Sequence, residues 1–220
     1  FNNLIFSMAP SYTVYYFDFP GKAEVIRMML TAAGKEFKDV RFTLEEWLAE
    51  YKSKMPLGFV PVLDVDGEML FETCCIVRYL GRVLGMNGAT EIDEGRCDAV
   101  VSIIEEYQNK LSEAFHLKHE ERKDKIDAYM ANEIPMLLKS LGTIREKYGK
   151  EGHFVGDKLT YADFHFYSFC RLFEIFAEQS IPKNDLVTKN KEIIEAIPSL
   201  KEYLEKRPSI EELVKIKRAR

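Results

Sequence analysis

The sequence predicts an α/β domain followed by an all-helical domain, and three observations lead to this prediction. Strand-like and helix-like segments alternate from Tyr12 to about Leu70. Beyond about residue 91 the strand signals disappear, and apolar residues repeat with the 3.6-residue period of amphipathic helices. The length of 220 residues is enough for two modest domains, each large enough to bury a core.

The first half reads as a βαβ unit followed by a ββα unit. The run YTVYYF is rich in strand-forming residues, and GKAEVIRMMLTAAG has helical apolar spacing that stops at Gly34. FKDVRF returns to a strand pattern and completes the βαβ unit. Asp66-Gly67 between two apolar runs indicates a hairpin, and TCCIVRYLGRVLG indicates a helix that ends at Gly85.

The second half is predicted to be a helical bundle. Its first long helix should bury a periodic apolar set, namely Val100, Ile103, Ile104, Tyr107, Leu111 and Phe115. LTYADFHFYSFCRLFEIF is apolar almost all round, which is typical of a buried central helix. Thr160 and Asp163 form a capping-box pattern at its start, and we favour this role for Asp163 over that of a catalytic carboxylate. His165 is interpreted as a packed core histidine, because no second histidine lies at i+4.

Four segments are expected along the chain: an N-terminal extension over 1–8, the α/β domain over 9–85, a linker over 86–91 and the helical domain over 92–220. Met8 is a candidate natural start, with residues 1–7 folding onto nothing.

The composition is that of an ordinary globular protein, 46% hydrophobic and 30% charged, with a net charge of −5. No basic surplus points to nucleic acid, and the terminal KIKRAR is interpreted as a solvated tail. Neither a leader pattern nor an 18-residue apolar run is present, so neither secretion nor membrane insertion is predicted. The cysteines at 74, 75, 97 and 170 offer no CxxC pair and no metal-like spacing. They predict reduced thiols in the cytoplasm and no metal requirement.

Several motifs, in order along both domains, resemble the cytosolic glutathione transferases. The segments YTVYYFDFPGKAEVIR, VPVLDVDG, ETCCIVRYL and LTYADF are most similar to the sigma class, which includes the haematopoietic prostaglandin D synthases and the S-crystallins. The resemblance implies a thioredoxin-like first domain, a homodimer, glutathione as co-substrate and a hydrophobic electrophile as its reaction partner.

Tyr15 and Tyr16 raise the question of which phenol activates the thiol. A free thiol has a pKa of about 8.5, and a transferase working near neutral pH must lower it to about 6.5–7. A phenol with a pKa near 10 stays protonated and can donate a hydrogen bond to a thiolate. Neighbouring side chains of a strand face opposite sides. The family register implies that Tyr16 is the donor, with Phe17 among the glutathione contacts and Tyr15 packing on the other face.

The resemblance also implies contacts along glutathione. A cis bond at Val60-Pro61 would turn the backbone of Val60 toward the cysteinyl part, although a proline that merely opens an edge strand explains the pattern as well. Glu72 and Thr73 would receive the γ-glutamyl end where a hairpin passes into a helix. The alternative is that Thr73 is an ordinary N-cap.

Trp47 and Lys52 are the candidates for the glycyl end, although Tyr51 or an inserted residue blurs the register, and core packing also explains Trp47. Lys22 stands where relatives commonly carry arginine, so it keeps the charge but loses the bidentate fork.

Three departures from the family pattern keep a second class of function open. Phe59 replaces a polar residue, Glu72 replaces a glutamine, and Glu106 stands where many relatives lend an aspartate across the dimer interface. These changes could weaken glutathione affinity, which favours a non-catalytic S-crystallin-like protein or a carrier of apolar ligands. A cysteine-dependent thiol oxidoreductase is a weaker reading, because Tyr16 rather than a cysteine occupies the activating position.

The electrophile pocket is expected between the Tyr16 loop and the first long helix. Its candidate wall residues are Tyr107, Leu111 and Phe115, which core packing explains equally well. The sequence does not separate detoxification from prostaglandin-type isomerisation.

Overall fold

The computed structural model describes residues 9–114, 117 and 119–218, so the extension predicted over 1–8 lies outside the described residues. The strands are β1 (Tyr12–Phe17), β2 (Lys38–Phe42), β3 (Val62–Val65) and β4 (Glu68–Phe71). The helices are α1 (Glu24–Ala32), α2 (Leu44–Glu46), α3 (Thr73–Val83), α4 (Glu91–Glu113), α5 (His119–Tyr148), α6 (Tyr161–Ala177), α7 (Asp185–Glu195), α8 (Lys201–Lys206) and α9 (Ile210–Arg218).

In the described residues the strands form one mixed sheet in the order β2-β1-β3-β4, which confirms the predicted βαβ-ββα arrangement. β1 pairs in parallel with β2 and antiparallel with β3, and β3 pairs antiparallel with β4. At the hairpin between β3 and β4, Asp66 has φ 55° and Gly67 has φ 93°. Both turn residues therefore adopt the positive φ that a tight two-residue hairpin requires.

The two faces of the sheet are covered by different parts of the chain. α1 and α3 pack on one face, and α1 also packs against α6 of the helical half. A single apolar core thus joins both halves, and it includes Val14, Ile26, Leu80, Ile104 and Phe164. The other face carries a smaller cluster whose buried residues are Phe42, Trp47, Met55 and Val62. Tyr15, Phe17 and Tyr51 pack against it, and it is called the aromatic cluster below.

α6 is the buried central helix that its apolar sequence predicts. Asp163 closes a capping box with Thr160, and its carboxylate accepts hydrogen bonds from the backbone N–H groups of Thr160 at 2.8 Å and Phe154 at 3.1 Å. These bonds confirm the structural role predicted for Asp163.

The polar segment between β2 and β3 contains structure that the sequence patterns do not predict. α2 begins at a capping box formed by Thr43 and Glu46. It continues into a π-helical turn over Trp47–Tyr51 and a 3-10 turn over Lys52–Lys54. These short turns hold Trp47 against the sheet.

Across the part of the chain that the structure describes, we find no helix that combines the length and the apolar character needed to cross a membrane.

Candidate active site

A cavity of about 270 Å³ opens where the loops of the α/β half meet α4. Five of the residues predicted to bind glutathione are among its wall residues: Lys22, Val60, Pro61, Glu72 and Thr73. The other wall residues are Leu57, Phe59, Phe71, Cys74 and Glu105. The cavity therefore gathers side chains from distant parts of the sequence.

Tyr16 is not a wall residue of this cavity, but it is hydrogen-bonded to one of them, Lys22. Its side chain is on the sheet face that packs against the helices, whereas Tyr15 packs in the aromatic cluster on the opposite face. The backbone N–H of Lys22 donates a hydrogen bond to the Tyr16 hydroxyl over 3.2 Å. Burial raises the pKa of Tyr16, and the Lys22 N–H and the charge of Arg27 only partly oppose this effect. The phenol is therefore protonated near neutral pH.

Gly21 permits the close approach between the Tyr16 ring and the loop that follows β1. Its φ is +46°, and a Cβ atom there would lie 2.5 Å from the Tyr16 hydroxyl oxygen. Only glycine combines this backbone conformation with the missing side chain. The contact between Gly21 and Tyr16 is visible only in the structure.

Arg27 holds the loop that follows β1 in place, and its side chain is completely buried. Its Nη1 donates to the carbonyl oxygens of Phe19 and Pro20 at 3.1 and 3.2 Å, and its Nε donates to Asp39 at 3.0 Å. The guanidinium carbon also lies 5.9 Å from the centre of the Tyr16 ring. Arg27 is a positioning residue that sequence analysis missed. The sequence signal that could have identified Arg27 is a single arginine among the apolar residues of α1.

The Val60–Pro61 peptide bond is cis, and Pro61 immediately precedes β3. β3 lies between β1 and β4, so the alternative that Pro61 opens an edge strand is wrong.

Glu72 and Thr73 stand at the start of α3. The N-cap of α3 is Glu72, so the alternative that Thr73 is the N-cap is also wrong. Glu72 has φ 68° and ψ 118°, a strained conformation for a residue with a side chain. Within the described residues no side chain caps α3 at Glu72, and Thr73 is buried at the cavity wall. The helix start thus presents backbone N–H groups and a hydroxyl to the cavity.

Phe17, Trp47 and Lys52 lie outside the cavity wall. Phe17 packs edge-on against Trp47 with ring centres 5.7 Å apart, and Trp47 is buried. Lys52 is exposed, and its backbone N–H bonds to the carbonyl of Trp47 across the π turn. Lys52 therefore lies one π turn after Trp47 along the chain.

Glu105 is a cavity residue that sequence analysis missed. It lies on α4 next to Glu106, with one carboxylate oxygen 3.9 Å from Lys22 Nζ and the other 3.2 Å from His165 Nε2. Burial alone would raise the pKa of Glu105, but His165, Lys22 and Cys74 outweigh it and hold that pKa below its usual value. Val101 and Gln108, which flank Glu105 on the same helix face, are both buried. The sequence signal that could have identified Glu105 is a carboxylate on the buried face of α4.

Glu106 is not a wall residue of the cavity. Its side chain is 64% exposed, and it forms an ion pair with Lys110 at 2.9 Å. The role predicted for Glu106 requires a second protomer, so it stays a prediction.

The electrophile-pocket residues have a different environment from the one expected. Tyr107 and Leu111 are 7% and 2% exposed within the core, and neither is a wall residue of the cavity. Phe115 lies outside the described residues. Their assignment to the electrophile pocket stays a prediction.

The cysteine nearest the cavity is poorly suited to nucleophilic chemistry. Burial, followed by the negative charge of Glu105, raises the pKa of the Cys74 thiol to about 12. A thiol that stays protonated at neutral pH is a weak nucleophile. This environment gives no support to cysteine chemistry at this site.

Comparisons with known proteins agree with the fold and the sequence motifs. The family models described as glutathione S-transferase, N-terminal domain and glutathione S-transferase, C-terminal domain match residues 12–82 and 105–207. The chain is 30% identical to a hematopoietic prostaglandin D synthase of Gallus gallus, over 90% of this chain and 98% of the relative. It is 34% identical to probable glutathione S-transferase 9 of Caenorhabditis elegans, over 90% of this chain and 97% of the relative.

A solved structure gives the same result. The structure of prostaglandin synthase D of Nilaparvata lugens superposes with a TM-score of 0.82 at 28% identity, covering 91% of this chain and all of the other. The two family models together span most of the sequence, and the relatives match over nearly their whole lengths. The chain therefore belongs to the glutathione S-transferase family.

Proposed function

We propose that this chain is a tyrosine-type, sigma-class glutathione transferase in which Tyr16 stabilises the thiolate of bound glutathione. The observation that carries the proposal is the hydrogen bond from the Lys22 N–H to the Tyr16 hydroxyl oxygen. Because that oxygen accepts a bond from the backbone, its own proton remains available for donation to a sulfur atom. A buried phenol with a raised pKa keeps this proton at neutral pH.

The energetic requirement on Tyr16 is modest. Lowering the pKa of the glutathione thiol from about 8.5 to about 6.5–7 corresponds to about 2–2.7 kcal/mol of preferential thiolate stabilisation. One well-aligned donor in a site that excludes water can supply much of this free energy. The thiolate then attacks an electrophilic carbon, so that a carbon–sulfur bond forms and the leaving group departs with its electron pair.

The cavity wall offers a place for each end of the peptide. In the proposal, the backbone of Val60 pairs with the cysteinyl part, and Thr73 with the start of α3 receives the γ-glutamyl carboxylate. Glu72 and Glu105 supply negative charge for the ammonium group of the same end. Trp47 and Lys52 are the proposed contacts for the glycyl carboxylate.

A homodimer is part of the proposal. Two apolar side chains at the cavity rim are strongly exposed, Phe59 at 73% and Leu57 at 54%. Exposed apolar residues around a binding site are typical of protein interfaces. In the proposal, a second protomer covers these side chains and lends Glu106 to the cavity of the first. Four free cysteines agree with a cytoplasmic location.

The test is retention on immobilised glutathione, followed by a conjugation assay with a generic aromatic electrophile. Retention with turnover supports the proposal. Retention without turnover indicates a carrier of ligands, and the absence of both indicates an S-crystallin-like structural protein. A parallel isomerisation assay with a prostaglandin precursor is warranted, because two of these relatives are named prostaglandin D synthases.

A further inference from the structure

Three side chains from three different helices converge next to the cavity, and two of them, Cys74 and Glu105, are wall residues. Cys74 lies in the first turn of α3, Glu105 lies on α4, and His165 lies on α6. One ligand-type atom of each, the sulfur, a carboxylate oxygen and a ring nitrogen, lies within 4.8 Å of the other two. Their spacing in the sequence gives no hint of this cluster, since it depends on how the helices pack.

His165 is the member that points most directly to a ligand. It is 3% exposed. Among the described residues neither of its ring nitrogens has a partner in hydrogen-bond geometry. Nε2 lies 3.2 Å from the Glu105 carboxylate, but the two groups are not aligned for a hydrogen bond. A buried imidazole whose nitrogens make no aligned hydrogen bond is costly, and a bound ion would satisfy one of these nitrogens.

We propose that Cys74, Glu105 and His165 form a binding site for a divalent transition-metal ion, with Zn²⁺ as the preferred ion. A thiolate, an imidazole and a carboxylate are the ligand types that Zn²⁺ uses, and three protein ligands with an open fourth position are typical of accessible zinc sites. Cys74 and Glu105 both contribute to the cavity wall, so the open position faces the cavity.

The geometry needs only a small adjustment. Tetrahedral ligands at about 2.0–2.3 Å from zinc lie roughly 3.3–3.8 Å apart. The Glu105–His165 separation of 3.2 Å is already close to this range, and separations up to the 4.8 Å limit of the cluster must shorten by about 1 Å. Rotation of the Cys74 and Glu105 side chains can achieve this. Binding converts the Cys74 thiol to a thiolate and releases its proton to solvent. Glu105 can keep its other oxygen toward Lys22, whose ammonium lies 3.9 Å away.

Lys22 opposes metal binding, because its positive charge lies 3.9 Å from the other oxygen of the same carboxylate. Neutralising that charge should therefore strengthen metal binding. This expectation is specific to a cation site, since a purely structural cluster gives no reason for any gain.

The experiment uses the full chain without glutathione and with a phosphine reductant, so that no soluble thiol competes for the metal. Co²⁺ is the probe, because a cobalt–thiolate bond produces a charge-transfer band in the near ultraviolet. We expect one Co²⁺ per chain with this band, and displacement of the band by Zn²⁺. Cys74→Ser should abolish the band, and His165→Gln should weaken binding at least about tenfold, the smallest loss seen when even a residue that orients a metal ligand is removed.

Cys75→Ser is the matched control, because Cys75 is the exposed neighbour of Cys74 and lies outside the cluster. It should keep the band and the affinity, whereas Lys22→Gln should tighten binding. A band that survives in Cys74→Ser, or no saturable binding by the parent protein, would overturn the proposal. The assay does not involve glutathione, so its outcome is independent of whether the transferase proposal holds.

Discussion

The two adjacent tyrosines are proposed to differ in one respect: the phenolic oxygen of Tyr16 donates to the thiolate, whereas that of Tyr15 does not. Tyr16→Phe removes that oxygen and preserves the ring, so we expect glutathione affinity to change modestly. The bound thiol should ionise at higher pH, because the thiolate loses its donor. Turnover at neutral pH should fall by about a hundredfold to a thousandfold, or about 2.7–4 kcal/mol, the usual cost of losing one such donor. An absorbance titration of the enzyme-bound thiolate measures the shift.

Tyr15→Phe is the matched control, because Tyr15 packs in the aromatic cluster on the opposite face of the sheet. It should change the thiol pKa little. A larger rise of that pKa in Tyr15→Phe than in Tyr16→Phe would mean that the wrong phenol has been assigned. An unchanged pKa in Tyr16→Phe would remove tyrosine from the mechanism.

Gly21 gives a second prediction at the scale of single residues. In Gly21→Ala the new Cβ would lie 2.5 Å from the Tyr16 hydroxyl oxygen, so the ring must move. A displacement of this size is expected to lower turnover by about a hundredfold, since catalytic groups tolerate little misplacement. Steady-state kinetics with saturating glutathione measures the loss.

Gly34→Ala is the control that separates the effect of backbone strain from the effect of displacing the Tyr16 ring. Gly34 also has a positive φ, +63°, but within the described residues nothing lies within 4 Å of the added Cβ atom. This variant should lose some stability and keep its turnover. Equal loss of turnover in both variants would show that backbone strain, rather than contact with Tyr16, is responsible.

At the scale of secondary structure, the capping box of α6 is expected to be a major source of stability. Asp163→Ala removes the acceptor for two backbone N–H groups, those of Thr160 and Phe154. We expect a loss of about 3 kcal/mol, which combines about 1 kcal/mol for a cap with about 1–3 kcal/mol for a buried donor left unpaired. Urea denaturation followed by circular dichroism measures it.

The capping box of α2 provides the control, because Glu46 makes the equivalent bond to Thr43 on the exposed surface. Glu46→Ala should cost about 1 kcal/mol or less, since water can replace the lost acceptor. Similar losses of stability in the two variants would show that burial of the cap does not decide its contribution.

These elements also show how far the sequence alone can be interpreted. β1, the Asp66-Gly67 hairpin and the α6 capping box are encoded by neighbouring residues, and the structure confirms all three. The turns over 44–54 escaped prediction because they are short and polar, so no apolar period marks them.

The site was only partly predictable for a related reason. The five predicted residues of the cavity wall were found through the resemblance of their motifs to the glutathione transferases. The contact between Glu105 and His165 was not predicted, because it depends on the packing of α4 against α6. No pattern within either helix encodes that contact.

At the scale of the whole molecule, the proposed homodimer gives a prediction on α4. Glu106→Gln removes a charge that the resemblance places near the glutathione ammonium group of the partner protomer. We expect affinity for glutathione to fall roughly ten- to a hundredfold, the equivalent of about 1.5–3 kcal/mol for a charged hydrogen bond. Calorimetric titration measures the affinity, and circular dichroism checks that the fold is retained.

Glu113→Gln is the corresponding control on the same helix, where Glu113 is exposed and pairs with Lys125. It should leave glutathione affinity unchanged. If Glu106→Gln binds glutathione as tightly as the parent protein, the assignment across the interface is wrong.

The core shared by both halves has a consequence for the order of events during synthesis. α1 is held from outside its own half: Ser199 donates to the carbonyl of Ala32 at 3.0 Å, and Tyr203 donates to buried Glu24 at 2.8 Å across 179 positions of sequence. At about 5–20 residues per second, a ribosome needs roughly 10 to 35 s to cover that separation. During this interval the helical half does not yet cover the apolar face of the nascent α/β half. Protection of that face from aggregation then depends on chaperones.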